Sequence, residues 1–366
     1  MQNILINKSF WTNKKVLITG HSGFKGSWLS ILLKNLGANV SGIALKPEDR
    51  NSLFEKAGVE NLIDDNFFQD IRDSNVLKEI IMSIKPQIIF HLAAQPFVRD
   101  SYVKPLETWD TNVIGTLNVL NATMQTDQKV SVICITTDKV YKNKEWVYGY
   151  RENDMLGGDD PYSSSKAGAE LAISSWRKSF CGLSSHQNCN VGIASARAGN
   201  VIGGGDWGKD RLIPDLIKSK YENKNLIIRN PYAKRPWQHV LAPLSGYLRI
   251  AEFMFKSENF INNQFCSAFN IGPTIESNKT VIELLKEVDI NLQIKWDIEK
   301  NLKNYHEAKL LHLNTDKANN ELKWFPIWNF EKSISATILW YKRFYEDNKN
   351  AYQLCLDDIG DFMKFI

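Results

Sequence analysis

Lys15-Val16-Leu17-Ile18-Thr19-Gly20-His21-Ser22-Gly23-Phe24-Lys25-Gly26 is the stretch that decides the fold. Its first five residues are a short, mostly apolar run ending at glycine, as in a strand buried on both faces of a parallel sheet. From Ser27 to Leu36 apolar residues recur at helical spacing, and Gly37 stands where a helix stops. Between strand and helix the glycines fall as GxxGxxG. Gly20 permits a tight turn, Gly23 lets backbone amides approach a pyrophosphate, and Gly26 lets helix and strand pack closely. The helix then offers unpaired N–H groups and the positive end of its dipole to an anion. This order predicts a dinucleotide cradle of Gly20, Ser22, Gly23, Phe24, Lys25 and Gly26, against the competing reading of a merely structural turn.

The alternation continues outward from there. Asn39–Leu45, Phe67–Asp70, Gln87–His91, Val130–Thr136 and Val191–Ala196 read as further strands. Asn75–Ile84, Leu106–Met124 and Tyr162–Lys178 read as helices, the first closed by Pro86. Strands alternating with helices predict an α/β fold, a doubly wound parallel sheet of Rossmann type. After Arg197 the rhythm breaks at Gly203-Gly204-Gly205, and shorter elements rich in Trp, Pro and Asn follow. The expected division is a dinucleotide-binding domain over 1–197 and a smaller, discontinuous substrate lobe over 198–366. A helix near 240–256 is expected to return to the main sheet.

Composition narrows the classes. The 366 residues are 43% hydrophobic and 23% charged, the balance of a globular protein. No apolar window is long enough for a membrane span, and Met1–Phe10 lacks the layout of a secretory signal. Forty-five basic against 41 acidic residues leave +4, with no basic block and no nucleic-acid-binding motif. Five widely spaced cysteines, Cys134, Cys181, Cys189, Cys266 and Cys355, read as reduced thiols of a cytoplasmic protein. The six histidines form no ligand pattern, so no metal is expected.

Three further places carry chemistry. The second strand ends Gly42-Ile43-Ala44-Leu45-Lys46 with Arg50 nearby, so the acid that would hold the adenosine ribose is missing and this position leaves NAD and NADP open. Asp70-Ile71, ending the third strand, is expected to reach the adenine edge through side chain and backbone, with an ordinary strand-end cap as the plain alternative. Tyr162-Ser163-Ser164-Ser165-Lys166 is YxxxK, two residues on one helix face. An ammonium on Lys166 would lower the Tyr162 pKa, and the phenolate would take a proton from a sugar hydroxyl as its carbon gives up hydride. Thr136-Thr137-Asp138-Lys139 ends the fifth strand, where such a sheet lines its ligand crevice. Asp138 and Lys139 add an acid and a base beyond what alcohol oxidation needs; an ordinary turn is the plain alternative.

Together these motifs resemble the extended short-chain dehydrogenase/reductase family over nearly the whole chain. Gly20–Trp28 (GHSGFKGSW), Arg197–Trp207 (RAGNVIGGGDW), Arg235–Val240 (RPWQHV) and His306–Trp324 look like its CDP-glucose 4,6-dehydratase branch. The resemblance implies bound NAD, oxidation at sugar C4, loss of water across C5–C6 and return of hydride to C6. The implied product is CDP-4-dehydro-6-deoxyglucose, a precursor of deoxy sugars in bacterial surface polysaccharide. It implies Tyr162 as base for the C4 hydroxyl, Lys166 as its tuner, Thr137 as a hydrogen-bond partner of that hydroxyl and Asp138 as the acid for the leaving C6 hydroxyl. Lys139 stands where the dTDP-glucose dehydratases carry a glutamate base for C5, so it is either that base or a cation steering an enolate. Leu92, Ala93 and Ala94 would pack against the dinucleotide with Thr136, and Asn112 would support the site. Gln95, Asn200, Arg211, Arg235 and His239 are the substrate candidates, since a guanidinium suits a diphosphate. Ala242 departs from the acid that relatives usually carry there.

The competing functions are a UDP- or dTDP-sugar 4,6-dehydratase, a nucleotide-sugar 4-epimerase, and a redox-sensing binding protein. Asp138-Lys139 argues against the epimerase, and the intact Tyr162–Lys166 pair against the sensor. The helices from Leu106 and from Tyr162 are expected to pair in a homodimer or homotetramer. Trp324, Trp328, Trp340 and Tyr341 read as core packing of the tail.

Overall fold

The computed structural model describes residues 6–181, 190–228, 230–260, 263–298 and 310–365. Cys189 and the first part of the His306–Trp324 motif lie outside them. Seven parallel strands make the main sheet: β1 Lys15–Thr19, β2 Asn39–Ala44, β3 Asp65–Phe68, β4 Ile88–His91, β5 Val130–Thr137, β6 Val191–Ala198 and β7 Ala268–Ile271. Their order is β7-β6-β5-β4-β1-β2-β3, every neighbouring pair parallel. The chain winds outward from β1 in one direction and then from β4 in the other, so the strand order reverses beside β1. In sheets of this kind, ligands bind beyond the strand C-termini at that reversal.

Helices cover both faces. On one lie α1 Phe24–Asn35 and, from the second half of the chain, α6 Leu241–Lys256, which packs on β5 and β6. On the other lie α2 Ser74–Ile84, α3 Pro105–Thr123 and α4 Pro161–Phe180. The second half adds α5 Leu212–Tyr221, α7 Val281–Asn291, α8 Phe330–Tyr345 and α9 Ala351–Met363. Helix α9 returns to pack on α1 and α8. Trp324, Trp328, Trp340 and Tyr341 are all buried in the core on the α1 side of the sheet. No described helix is long and apolar enough to cross a membrane.

Four details differ from the sequence reading. Helix α1 starts at Phe24, three residues earlier than the apolar periodicity, because the turn passes straight into the helix at Gly23. Strand β3 lies two residues earlier than expected, at Asp65–Phe68. Helix α3 is interrupted at Asp110–Ile114 by a π-turn, the kind of single-turn bulge that gathers at functional sites. Strand β7 falls in the half of the chain where no strand of the sheet was expected.

Candidate active site

The glycine turn is held by contacts that leave no room for side chains. Gly20 has φ +77°, and a Cβ on it would stand 2.7 Å from the Ala93 nitrogen. A Cβ on Gly26 would stand 2.1 Å from the Gly20 carbonyl oxygen, so α1 and the turn touch through backbone alone. Gly23 caps α1 without any side-chain hydrogen bond, leaving the first amides of the helix free for an anion. His21 lies flat over Gly42, where a Cβ would be 2.3 Å from the imidazole, and its Nε2 meets Asn66 Oδ1 at 2.6 Å. The Ser22 hydroxyl donates to Leu45 O at 2.9 Å.

Across the turn, Leu92 N donates to Thr19 O at 3.0 Å and Ala93 N to Thr19 Oγ1 at 3.3 Å, which brings the Leu92–Ala94 loop against the cradle. Asp70 is occupied differently from the expectation. Its carboxylate accepts from Arg72 Nη2 at 2.6 Å, and that hydrogen bond holds its pKa below the usual value despite partial burial. Ile71 is buried against Gly115 of α3.

Beneath the cradle, His91 is buried between two hydroxyls. Nδ1 lies 2.7 Å from Thr19 Oγ1 and Nε2 lies 2.9 Å from Thr116 Oγ1. Thr116 spends its own proton on Asn112 O, so its oxygen accepts from Nε2 and the neutral imidazole is fully satisfied. Burial, followed by the charge of Lys166, pushes His91 down to about 3. Asn112, inside the π-turn, accepts from Gln95 N at 2.8 Å and donates to Ser165 Oγ at 2.9 Å, tying the loop after β4 to α4 next to Lys166. Gln95 folds its amide back onto Phe97 at 2.6 and 3.0 Å.

Strand β5 ends at Thr137, and a single 3-10 turn over Asp138–Val140 carries the next two residues out of the sheet. Helix α4 begins opposite, because Asp160 and Ser163 form a capping box and Pro161 occupies the first turn. Tyr162 and Lys166 therefore face the end of β5. The Thr137 hydroxyl donates to Asp138 Oδ1 at 3.0 Å and accepts from Lys139 N at 3.3 Å; Lys139 Nζ is 6.0 Å from the Tyr162 ring centre. Asp138 is buried and its Oδ2 has no hydrogen-bond partner. A Cβ on Gly199 would sit 2.7 Å from that oxygen, so glycine there preserves its place. Burial raises the Asp138 pKa, with Lys139, Thr137, Arg235 and Lys25 opposing.

The Tyr–Lys pair differs from the simple expectation. Burial pushes Tyr162 up to about 12, opposed by Thr137 and Arg211 and reinforced by Asp138. Lys166 is pushed down to about 8 by burial, opposed by Glu170 and then Cys134, and its Nζ donates to Ile135 O at 3.2 Å. Desolvation governs both groups. Lys25, in the first turn of α1, is likewise pushed down to about 8 by burial and then by Arg211, with Asp138 opposing.

From the second half of the chain, Arg211 pairs with Asp206 at 2.8 Å and lies over the Phe97 ring at 5.4 Å. Arg235 donates to Lys234 O at 2.8 Å and acts on Asp138 through space. Asn200 is half-buried, its carbonyl accepting from Gln238 N. His239 is placed elsewhere. It is 0% exposed, packed against Trp28 at 5.8 Å and Trp328 at 4.8 Å, with Asp358 at 3.8 Å. Trp237 is also buried, its indole donating to Lys279 O. Sequence reasoning passed over Asp206 and Glu170. Glu170 had a signal, its place four residues after Lys166.

This set can bind a dinucleotide at the glycine turn and present to a second ligand a phenol, a buried carboxyl whose pKa burial raises, and several cations. The GDP-mannose 4,6 dehydratase family model matches residues 17–337. A CDP-glucose 4,6-dehydratase of Salmonella typhimurium is 46% identical over 341 residues, covering 92% of this chain and 93% of that protein. Among solved structures, the epimerase Mth375 of Methanothermobacter thermautotrophicus superposes with TM-score 0.77 at 22% identity, covering 94% of this chain and 96% of that one. A dTDP-glucose 4,6-dehydratase of Bacillus anthracis in complex with NAD superposes with TM-score 0.69 at 20% identity, covering 91% and 98%.

Proposed function

The chain belongs to the GDP-mannose 4,6 dehydratase family, and from that premise we propose that it is a CDP-glucose 4,6-dehydratase using bound NAD. The observation that carries the reading is Asp138, a buried carboxyl with one oxygen free beside Thr137 and Tyr162. An epimerase has no use for an acid at that place. The base and sugar follow the 46%-identical relative.

The cradle fits the cofactor: at Gly20 and Gly26 the backbones pack too closely to admit a Cβ, which keeps the turn tight against the start of α1, and the amides after Gly23 are uncapped. Gly20–Gly26, Leu92–Ala94 and Thr136 would hold it. When bound, NAD supplies acceptance of hydride from C4 and its return to C6. Tyr162 takes the proton of the C4 hydroxyl, with Lys166 behind it and Thr137 orienting the oxygen. The ketone acidifies C5, and Lys139, near the Tyr162 ring, either takes that proton as its neutral amine or, as an ammonium, steers the enolate. Asp138 retains its proton above the usual carboxylate range because it is buried, and it gives that proton to the departing C6 hydroxyl as water. Arg211 and Arg235 meet the diphosphate, and Gln95 and Asn200 line the sugar side. His239, in the core, has no part in this assignment, and Asp70 serves through its backbone because Arg72 holds its side chain.

Residues 198–366 act as the nucleotide-sugar lobe, with α6 lent to the dinucleotide domain. The product feeds deoxy-sugar synthesis for lipopolysaccharide O-antigen. The described cysteines are all free, which suits a reducing cytoplasm. Leu106 is 84% and Leu171 61% exposed on α3 and α4, beside partly exposed Trp109 and Ile114; this stripe pairs two copies in a homodimer. Incubation with NAD and CDP-, UDP- or dTDP-glucose tests the function: CDP-4-dehydro-6-deoxyglucose is expected, and preference for another nucleotide or formation of a 4-epimer overturns the reading.

A further inference from the structure

Behind Tyr162 and Lys166 lies a carboxylate that the chemistry above leaves unused. Glu170 is one helical turn beyond Lys166 on α4 and is 2% exposed. Its Oε1 accepts from the Thr136 hydroxyl at 2.6 Å; its Oε2 accepts from the Ser195 hydroxyl at 3.0 Å and from Arg197 Nη2 at 2.7 Å. A buried charge is tolerated when it is paired and hydrogen-bonded in this way. Burial alone would raise its pKa, but the charge and hydrogen bond of Arg197 and the Thr136 hydroxyl bring it below the usual value, so Glu170 stays ionised. Arg197 is itself fixed. Its Nη1 donates to Tyr141 OH at 2.8 Å and to Glu152 O at 2.9 Å, and Tyr141 OH donates to Asn270 Oδ1 at 2.7 Å.

The surroundings of Lys166 make this anion matter. His91 on β4 is neutral at ordinary pH, pushed to about 3. Cys134 on β5 is a neutral thiol, pushed up to about 12 by burial. Lys25 on α1 is a second cation that acts against the charge of Lys166. Arg177 on α4, Arg197 on β6 and Tyr141 after β5 face Glu170 rather than Lys166. Of the groups that act on Lys166, Glu170 supplies the largest support for its charge.

We propose that Glu170 is a positioning residue: fixed by Thr136, Ser195 and Arg197, its carboxylate keeps Lys166 an ammonium at the end of β5 and so keeps Tyr162 able to accept a proton. It acts through Lys166 and touches neither substrate nor cofactor. The role rests on the reading of Tyr162 as the base. It also gives the RAGNV motif a purpose for Arg197, which balances the buried carboxylate.

The test is an NMR titration of the full chain labelled at lysine Cε, with the Lys166 signal identified by its loss in Lys166→Met. The wild-type midpoint is expected near 8. Glu170→Gln keeps the shape and removes the charge, and it is expected to lower the midpoint by about one pH unit or more. Glu170→Asp, which keeps the charge, is expected to restore most of it. In turnover of CDP-glucose, Glu170→Gln shifts the pH profile of kcat/KM, whereas a merely structural role would scale the profile without moving it. If the Gln variant does not fold, Glu170→Gln with Arg197→Met removes both charges together, a change buried pairs tolerate, and a fall in the same direction is expected, smaller because a neighbouring cation is lost with the anion. An unchanged Lys166 midpoint in the folded variant overturns the proposal. Because the titration needs no substrate, its outcome stands apart from whether the wild-type enzyme accepts CDP-glucose.

Discussion

Asp138→Asn separates the two halves of the chemistry. The carboxyl is buried, one oxygen held by the Thr137 hydroxyl at 3.0 Å and the other free. Asparagine has the same shape, and its carbonyl still accepts from Thr137, so the position of Tyr162 is kept. What disappears is the acid whose pKa burial raises. Positioned acids contribute about 10²–10⁴-fold, or about 2.7–5.5 kcal/mol at 1.36 kcal/mol per tenfold. The variant should therefore still form the C4 ketone while losing water about a hundred to ten thousand times more slowly. A stopped-flow trace should show reduced nicotinamide accumulating, where the wild type shows little, while chromatography shows the 6-deoxy product falling by that factor. The amide carries no ionisation to desolvate, so the melting temperature should hold or rise at neutral pH. Product formed at the wild-type rate would refute the acid role; a variant that forms neither ketone nor product would show that Asp138 serves the oxidation instead.

Other expectations follow from the same geometry. Gly26→Ala drives a Cβ to 2.1 Å from the Gly20 oxygen, so calorimetry should find NAD binding weakened by more than about tenfold, 1.4 kcal/mol. Near-normal affinity would mean the turn is not the cradle. Lys139→Met should still reduce nicotinamide but slow product formation by about 10²–10⁴-fold and abolish solvent deuterium entry at C5; undiminished entry would move the C5 base to another group. His91 binds its proton only below about 3 when folded, against 6.5 unfolded, so the unfolded chain binds more protons between those values and stability falls as pH drops through them. At pH 5 that amounts to about 2 kcal/mol, and the melting temperature of His91→Gln should decline less than that of the wild type between pH 7 and 5. Parallel declines would contradict the assignment.

The first half of the fold was readable because strands buried on both faces are apolar runs, and glycine or proline marks their ends. Strand β7 was not, since Ala268–Ile271 is four residues with an internal asparagine that serves the Arg197–Tyr141 network. The π-turn in α3 was hidden because one extra residue leaves the apolar spacing of a long helix nearly intact. Among the candidate site residues, spacing pointed to those on one element, such as Tyr162 and Lys166. It could not tell which way His239 faces, because that depends on Trp28 and Trp328 arriving from distant parts of the chain. Nor could it weigh the ammonium against burial at Tyr162, since desolvation is a property of the assembled site.

The most direct measurement follows deuterium from C4 of CDP-glucose in the presence of the NAD-loaded protein. The account predicts that the label moves within one active site to C6 of CDP-4-dehydro-6-deoxyglucose. Label remaining at C4 of an epimer, or label released without any 6-deoxy product, would contradict it.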